Sequence, residues 1–317
     1  MKKRNSTLLI RELPAPPAGK TGWPWDIESR VVQSDSLPED GLPKITIVTP
    51  SYNQGEFLEE TIRSVLLQNY PNLEYIIIDG GSTDNSVEII KKYEPWIDYW
   101  VSEPDRGQSH AINKGFGRAT GQWGNWINSD DLLAKDALLN MAGVLQNAKP
   151  KTLFIGEFIH TNRDRSISKV SSTNIKNFED LIDIPNYWRK SGGFQQNALY
   201  DIHCFKEISG LNEDNHFTMD YELWGELLLN NNQIRLLDFP IGIFRIYEGQ
   251  KISDQLTTTK SLLKSARKLV RKNSSFTLGQ RVFKLIKILN YEISYRYGLL
   301  RSVIGIKRRW KNIKRWS

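Results

Sequence analysis

The chain reads as an α/β protein: a mostly parallel sheet flanked by helices, followed by a helical C-terminal extension. Three observations predict this. Between Lys44 and Leu145 short apolar runs alternate with amphipathic helical patterns, as strand–helix–strand units require. Each apolar run ends in a cluster of Ser, Asn, Asp and Gly. From Thr258 onward the pattern changes to basic helices.

Residues 1–43 carry six prolines and read as an extended arm. Its Trp23 and Trp25 are expected to dock on the body, filling a surface groove. Residues 44–257 form the α/β domain. Ile45–Thr49 is a short buried strand. Glu56–Gln68 is a helix with Leu58, Ile62, Val65 and Leu66 on one face. Leu73–Ile78 is a second strand, ending at Asp79-Gly80-Gly81-Ser82. Asn85–Tyr93 is a helix, Tyr99–Val101 a strand, Ser109–Ala119 a helix, Trp123–Asn128 a strand and Lys135–Leu145 a helix. The rhythm then weakens. Leu153–Ile159 and Ile234–Phe239 read as strands, and Tyr221–Leu229 as a helix. Residues 258–317 form the basic helical extension.

Open parallel sheets bind ligands outside the carboxyl ends of their strands. Four polar clusters fall at those ends: Ser51 to Asn53, Asp79 to Asp84, Glu103 to Gln108 and Asn128 to Asp131. They are expected to converge on one rim. In Asn128-Ser129-Asp130-Asp131, two carboxylates and an amide oxygen suit a hard cation such as Mg²⁺ or Mn²⁺. The same residues also suit the N-cap of the following helix. Tyr52 is placed to stack on a flat base, and Arg106 and Lys114 to reach phosphates. Asp79 either accepts from a ligand or turns the chain, Asp84 caps the next helix, and Asp220 caps a helix or serves as a general base. Gln195 and Gln196 are candidates for holding a sugar hydroxyl.

Other chemistries are excluded or unsupported. One cysteine, Cys204, forms no internal disulfide and no thiolate metal site; it reads as a small buried hydrophobe. The four histidines show no metal-ligand spacing. Gly115, Gly117 and Gly121 close a helix and do not follow a strand, so they form no dinucleotide fingerprint. Leu8-Leu9-Ile10 is too short for a secretory signal, and no run approaches the ~18 apolar residues of a membrane span. A cytoplasmic protein, peripheral at the inner face of the plasma membrane, is expected.

Taken together, Thr49-Pro50-Ser51-Tyr52-Asn53, Asp79 to Asp84, Asp105 to Gly115 and Asn128 to Asp131 resemble, in order and spacing, the family 2 glycosyltransferases of GT-A fold. The resemblance covers roughly residues 44–250. It implies an inverting glycosyltransferase that moves a sugar from a nucleotide-diphosphate donor, most often a UDP-sugar. The acceptor would be a glycan or lipid-linked glycan of the cell envelope. It implies that Pro50 and Tyr52 line the base pocket and that Asp79 binds the base. Asp130 would be the principal ligand of a divalent cation, with Asp131 beside it near the donor sugar. Arg106 would help hold the diphosphate, and Asp220 would deprotonate the acceptor hydroxyl. Three positions depart from the family pattern: Asn128 stands first in the Asp-x-Asp motif, Met219 precedes the base, and Tyr247 stands where relatives carry His. These departures motivate an alternative, a non-catalytic nucleotide-sugar-binding or scaffold protein.

Residues 258–317 hold 17 Lys/Arg and one acidic residue, Glu292, a net charge of +16, which leaves −9 for the rest of the chain. Two apolar seams run through this extension. Val282, Leu285, Ile286, Leu289 and Ile293 are expected to pack on the body. Val303, Ile306, Trp310, Ile313 and Trp316, among basic residues, are expected to meet an anionic membrane. Nucleic acid is not expected, since no recognised module accompanies the charge.

Overall fold

The computed structural model describes residues 10–30, 41–162, 167–189, 195–248, 250 and 254–313, with the backbone alone for 167–168, 186, 188–189 and 297–313. The α/β rhythm is realised as β1 (Ile45–Ser51), α1 (Gly55–Leu66), β2 (Leu73–Asp79), α2 (Ser86–Tyr93), β3 (Tyr99–Ser102), α3 (Gln108–Arg118) and β4 (Trp123–Trp126). There follow β5 (Leu132–Leu133), α4 (Ala137–Leu145), β6 (Thr152–Asn162), β7 (Ile167–Ser171), α5 (Phe178–Ile182), α6 (Ile184–Arg189) and β8 (Ala198–Asp201). The chain continues with α7 (Ile202–Glu207), α8 (Met219–Leu229), β9 (Gln233–Ile246), α9 (Gln255–Lys272) and α10 (Leu278–Ile313).

One sheet takes the order β3-β2-β1-β4-β8-β6-β9-β5, with β7 paired to β6 off this path. The pairs β3·β2, β2·β1 and β1·β4 are parallel. β8 enters antiparallel to both β4 and β6, while β6 and β9 run parallel. The register sets Ser51 beside Asp79, so the first two strands end level and open on one edge.

Alternation along the strands divides the core in two. Val48, Ile76 and Ile78 face one side, where α3, α8 and α9 supply Phe116, Trp224 and Leu269. Ile45, Ile47, Tyr75 and Ile77 face the other, covered by α1, α2 and α4 through Ile62, Ile90 and Met141. With helices on both faces, every residue of β1 and β2 is buried, which is why these strands read as continuous apolar runs. Gly115 belongs to this packing and not to phosphate binding. A Cβ there would lie 2.4 Å from Val48 Cγ1, so glycine lets α3 settle directly on β1. Cys204 is buried in α7.

The N-terminal arm does more than fill a groove. Trp23 and Trp25 are buried, and the Trp23 indole donates to the Leu133 carbonyl at 2.9 Å. Arg63 of α1 is fully buried and donates to the carbonyls of Pro14 (2.8 Å), Pro24 (3.1 Å) and Trp25 (2.9 Å). Arg63→Ala is therefore expected to lower stability by about 3 kcal/mol or more, because several buried carbonyls lose a charged donor together. Urea unfolding would measure this, and an unchanged midpoint would show that the arm is held otherwise.

Two expectations change. The helix after Asp131 begins at Ala137 and follows Asp136, which sits at φ 64° and makes no side-chain cap bond. Asp130 and Asp131 are thus too far upstream to cap it. The first seam of the extension is not packed as a unit. Ile288 is buried and Leu285 lies against the core, but Val282, Ile286, Leu289 and Ile293 are exposed. Burial follows Leu285, Ile288 and Tyr291, a neighbouring stripe of the same helix. The side chains of the second seam, Val303 to Trp316, lie outside the described residues.

Candidate active site

The carboxyl ends of β1, β2 and β4 open into a cleft of about 1290 Å³. Pro50, Tyr52, Asn128, Asp130, Asp131 and Asp220 all line it. Asp79 and Arg106 are not among its lining residues.

Asp79 is fully buried at the end of β2. Its carboxylate accepts from Gly81 N (3.1 Å), Ser82 N (2.9 Å), Ser82 Oγ (2.6 Å) and Ser102 Oγ (2.6 Å). It therefore shapes the rim, with Gly80 and Gly81 lining the cleft in front of it. Asp84 accepts from Gly55 N and Ser86 N, tying the starts of α1 and α2 together. Asn53, at φ 51°, accepts from Thr83 N and completes the loop. Tyr52 stands at the mouth, 60% exposed, with its ring free to cover a flat ligand. Arg106 pairs with Glu213 at 2.6 Å on the surface, and Lys114 pairs with Glu103.

The loop after β4 is pinned from below. The Thr61 hydroxyl of α1 lies 2.8 Å from the carbonyls of both Ser129 and Asp131. Asp131 is buried; its Oδ1 accepts from Arg245 N (3.2 Å) and its Oδ2 from Asn128 Nδ2 (3.3 Å). Burial, then the charge of Asp130, hold the Asp131 carboxyl well above the usual carboxylate range. The Asn128 amide oxygen accepts from Gln108 Nε2 at 2.7 Å, which removes it from the oxygens a cation would find free. Asp130 Oδ2 accepts from the Tyr247 hydroxyl at 2.8 Å. Burial, then the Asp130 charge, hold that phenol well above its ordinary value, so it stays a neutral donor.

Two neighbouring carboxylates, both hard oxygen donors, fit a divalent cation. No third His, Cys, Asp or Glu completes a metal cluster among the described residues. The remaining positions would fall to phosphate oxygens and water, as is usual for Mg²⁺.

Asp220 lies in the first turn of α8, where its Oδ1 accepts from Tyr221 N at 2.8 Å. Burial pushes its carboxyl up to about 6. Tyr187 lines the cleft nearby, and its phenol is raised first by burial and then by the Asp220 charge. Gln195 and Gln196 also line the cleft, and Gln195 Oε1 and Gln196 Nε2 have no hydrogen-bond partner among the described residues.

Several supporting residues escaped sequence reading. Arg245 and Glu60 form a buried ion pair at 3.0 Å, with the guanidinium 4.7 Å from the Phe57 ring centroid. This pair ties the end of β9 to α1, and so sets Arg245 N against Asp131 and Tyr247 against Asp130. Gln108 and Tyr187 were missed as well. The partners are remote in sequence, 185 residues for Glu60 and Arg245, and no local pattern joins them.

The sequence pattern described as glycosyl transferase family 2 matches residues 46–209. The chain belongs to this family. Its similar relatives include a putative teichuronic acid biosynthesis glycosyltransferase of Bacillus subtilis, 39% identical over 100 residues, which are 30% of this chain and 39% of that protein. An uncharacterized glycosyltransferase of Nostoc is 29% identical over 144 residues, 44% of this chain and 45% of the relative. The chain thus spans less than half the length of these family 2 proteins. Among solved structures, S. aureus TarS 1–349 in complex with UDP matches with a TM-score of 0.60 at 16% identity, covering 79% of this chain and 72% of that one. The mannosyltransferase PcManGT from Pyrobaculum calidifontis, in complex with GDP-Man and Mn²⁺, matches at 0.57 and 16%, covering 89% and 84%. These likenesses establish the GT-A fold expected from the sequence.

Proposed function

We propose that this family 2 protein is an inverting glycosyltransferase that moves a sugar from a nucleotide-diphosphate donor, a UDP-sugar, to a glycan or lipid-linked acceptor of the cell envelope. One observation carries the reading: a single cleft is lined on one side by the Asp130–Asp131 carboxylates and on another by Asp220 with a raised pKa. The TarS complexes hold UDP and UDP-GlcNAc, and the relative in Bacillus subtilis is named for teichuronic acid biosynthesis; both support this donor and acceptor class.

Pro50 and Tyr52 receive the base, with Asp79 holding the rim in shape behind Gly80 and Gly81. Asp130, with Asp131, holds a divalent cation, whose chemistry is to neutralise charge developing on the leaving diphosphate. Arg106 is available for the diphosphate as well, because an exposed pair such as its bridge to Glu213 is worth no more than about 1 kcal/mol. Gln195 and Gln196 offer amide groups to sugar hydroxyls. Asp220 accepts the acceptor hydroxyl proton. That oxygen bonds to the anomeric carbon from the face opposite the diphosphate, the bond to the diphosphate breaks, and the configuration inverts.

The alternative, binding without turnover, draws on the Asn128 amide oxygen being engaged by Gln108 and on Tyr247 occupying Asp130. A thermal-shift screen of UDP, GDP and dTDP with and without Mn²⁺ tests the donor site. The expected result is a rise in Tm that is largest for UDP and depends on Mn²⁺; a shift of about 2.7 kcal/mol in stability corresponds to ligand at 100 times its Kd. No shift with any nucleotide would sink both readings. A shift without hydrolysis or transfer of any UDP-sugar would favour the second.

A further inference from the structure

We infer that the outward face of α10 is a docking surface for an anionic lipid bilayer. Leu278, Val282, Phe283, Ile286, Leu289 and Ile293 stand in solvent along it, between 47 and 77% exposed. Their spacing places them on one side of the helix. The other side does the packing, through Leu285, Ile288 and Tyr291, against α9 and α6. Among the described residues, nothing covers the exposed stripe. Scattered surface hydrophobes need no explanation, but a continuous row of six marks a contact surface.

Charge selects the occupant. Residues 278–317 hold eleven Lys/Arg and one Glu, a net charge of +10. A second copy of the chain would bring one such helix against another, and like charges oppose that pairing. Nucleic acid would satisfy the charge and leave the apolar row in water. An anionic bilayer satisfies both. The apolar side chains enter the boundary between headgroups and acyl chains, while lysine and arginine stems reach back to the lipid phosphates. Lys287 already lies 4.9 Å from the Phe283 ring centroid, so stem and ring can leave water together. No helix among the described residues is long and apolar enough to cross a membrane; α10 lies along the surface.

The position is useful if the transfer reading above holds. α10 packs on α6, and Tyr187 of α6 lines the cleft near Asp220. The lipid surface then lies one helix away from the acceptor side of the cleft.

The test is flotation of the full chain, without donor, on vesicles of phosphatidylcholine alone or mixed with phosphatidylglycerol. The wild type is expected to float with the anionic vesicles only. A variant combining Phe283→Glu, Ile286→Glu and Leu289→Glu is expected to lose at least about tenfold in vesicle partitioning with an unchanged Tm. Three outcomes would overturn the inference: no flotation of the wild type, equal flotation of the variant, or a concentration-dependent dimer that the variant abolishes. Vesicle binding is read without nucleotide or acceptor, so a failed donor screen leaves this result standing, and the reverse also holds.

Discussion

Asp220→Asn is expected to reduce kcat by about 10²- to 10⁴-fold, the range for removing a positioned general base, while Kd for UDP stays within about twofold. The amide keeps the size of the side chain and can still accept from Tyr221 N, as the carboxylate Oδ1 does at 2.8 Å. What it loses is the capacity to take a proton. The same residue sets a pH dependence whose sign is fixed by its environment. Burial pushes the carboxyl up to about 6, so the competent, ionised form is present above that pH and is lost as pH falls through it. Wild-type kcat should therefore drop tenfold for each unit below about 5 and level off above about 7. A carboxyl of ordinary pKa would hold its activity some two units further into acid. Stability gives a control. A group whose folded pKa is raised opposes folding once it is ionised, so the amide variant should match or exceed the wild-type Tm at pH 8. Full transfer by Asp220→Asn, or a flat profile from pH 5 to 8, would remove Asp220 from the reaction.

The first half of the sheet was readable because its central strands β1 and β2 are covered on both faces. Ile76, Ile77 and Ile78 are apolar without a break, and Ile45, Ile47 and Val48 are interrupted only by buried Thr46; the motifs sit where such strands must end. β9 was read as Ile234–Phe239 but runs to Ile246. Most of its residues are exposed or half-buried, and Pro240 and Gly242 break the strand signal within it. Its pairing with β6 is parallel and shifts register near Glu157, an arrangement no local period announces. Buried charges leave no local signal in the sequence. Arg63 lies next to Ile62 on α1 and resembles a surface arginine; it is buried because arm residues far upstream bring their carbonyls to it. In α10 the periodicity showed an apolar seam from Val282 to Ile293. It did not reveal which stripe the body covers, because Leu285–Ile288–Tyr291 and Val282–Ile286–Leu289 both satisfy helical spacing. Asp130 stands out in its motif, whereas its bond to Tyr247 across 117 residues is visible only in the fold.

That bond makes Asp130 the site of the second large effect. Asp130→Ala is expected to lower kcat/KM by about 10³-fold or more and to abolish the Mn²⁺-dependent part of nucleotide binding. Asp131 does not substitute for it. Its carboxyl is buried, engaged by Arg245 N and Asn128 Nδ2, and held well above the usual range. Removing the Asp130 charge should relax that shift, because Asp130 ranks after burial among its causes. Tyr247→Phe separates the carboxylate's own role from that of its hydrogen bond. The phenol competes with a cation for Oδ2, at 2.8 Å. Deleting its hydroxyl while keeping the ring, which lies tilted 4.8 Å from the Phe57 ring centroid, should lower the Mn²⁺ concentration for half-maximal nucleotide binding. The change should be about tenfold, the worth of one charge-assisted hydrogen bond. Isothermal titration of UDP across a Mn²⁺ series measures both variants. If Asp130→Ala binds UDP with the same Mn²⁺ dependence as the wild type, the cation is held elsewhere. If Tyr247→Phe needs more Mn²⁺, the phenol orients the carboxylate for the ion and does not compete with it.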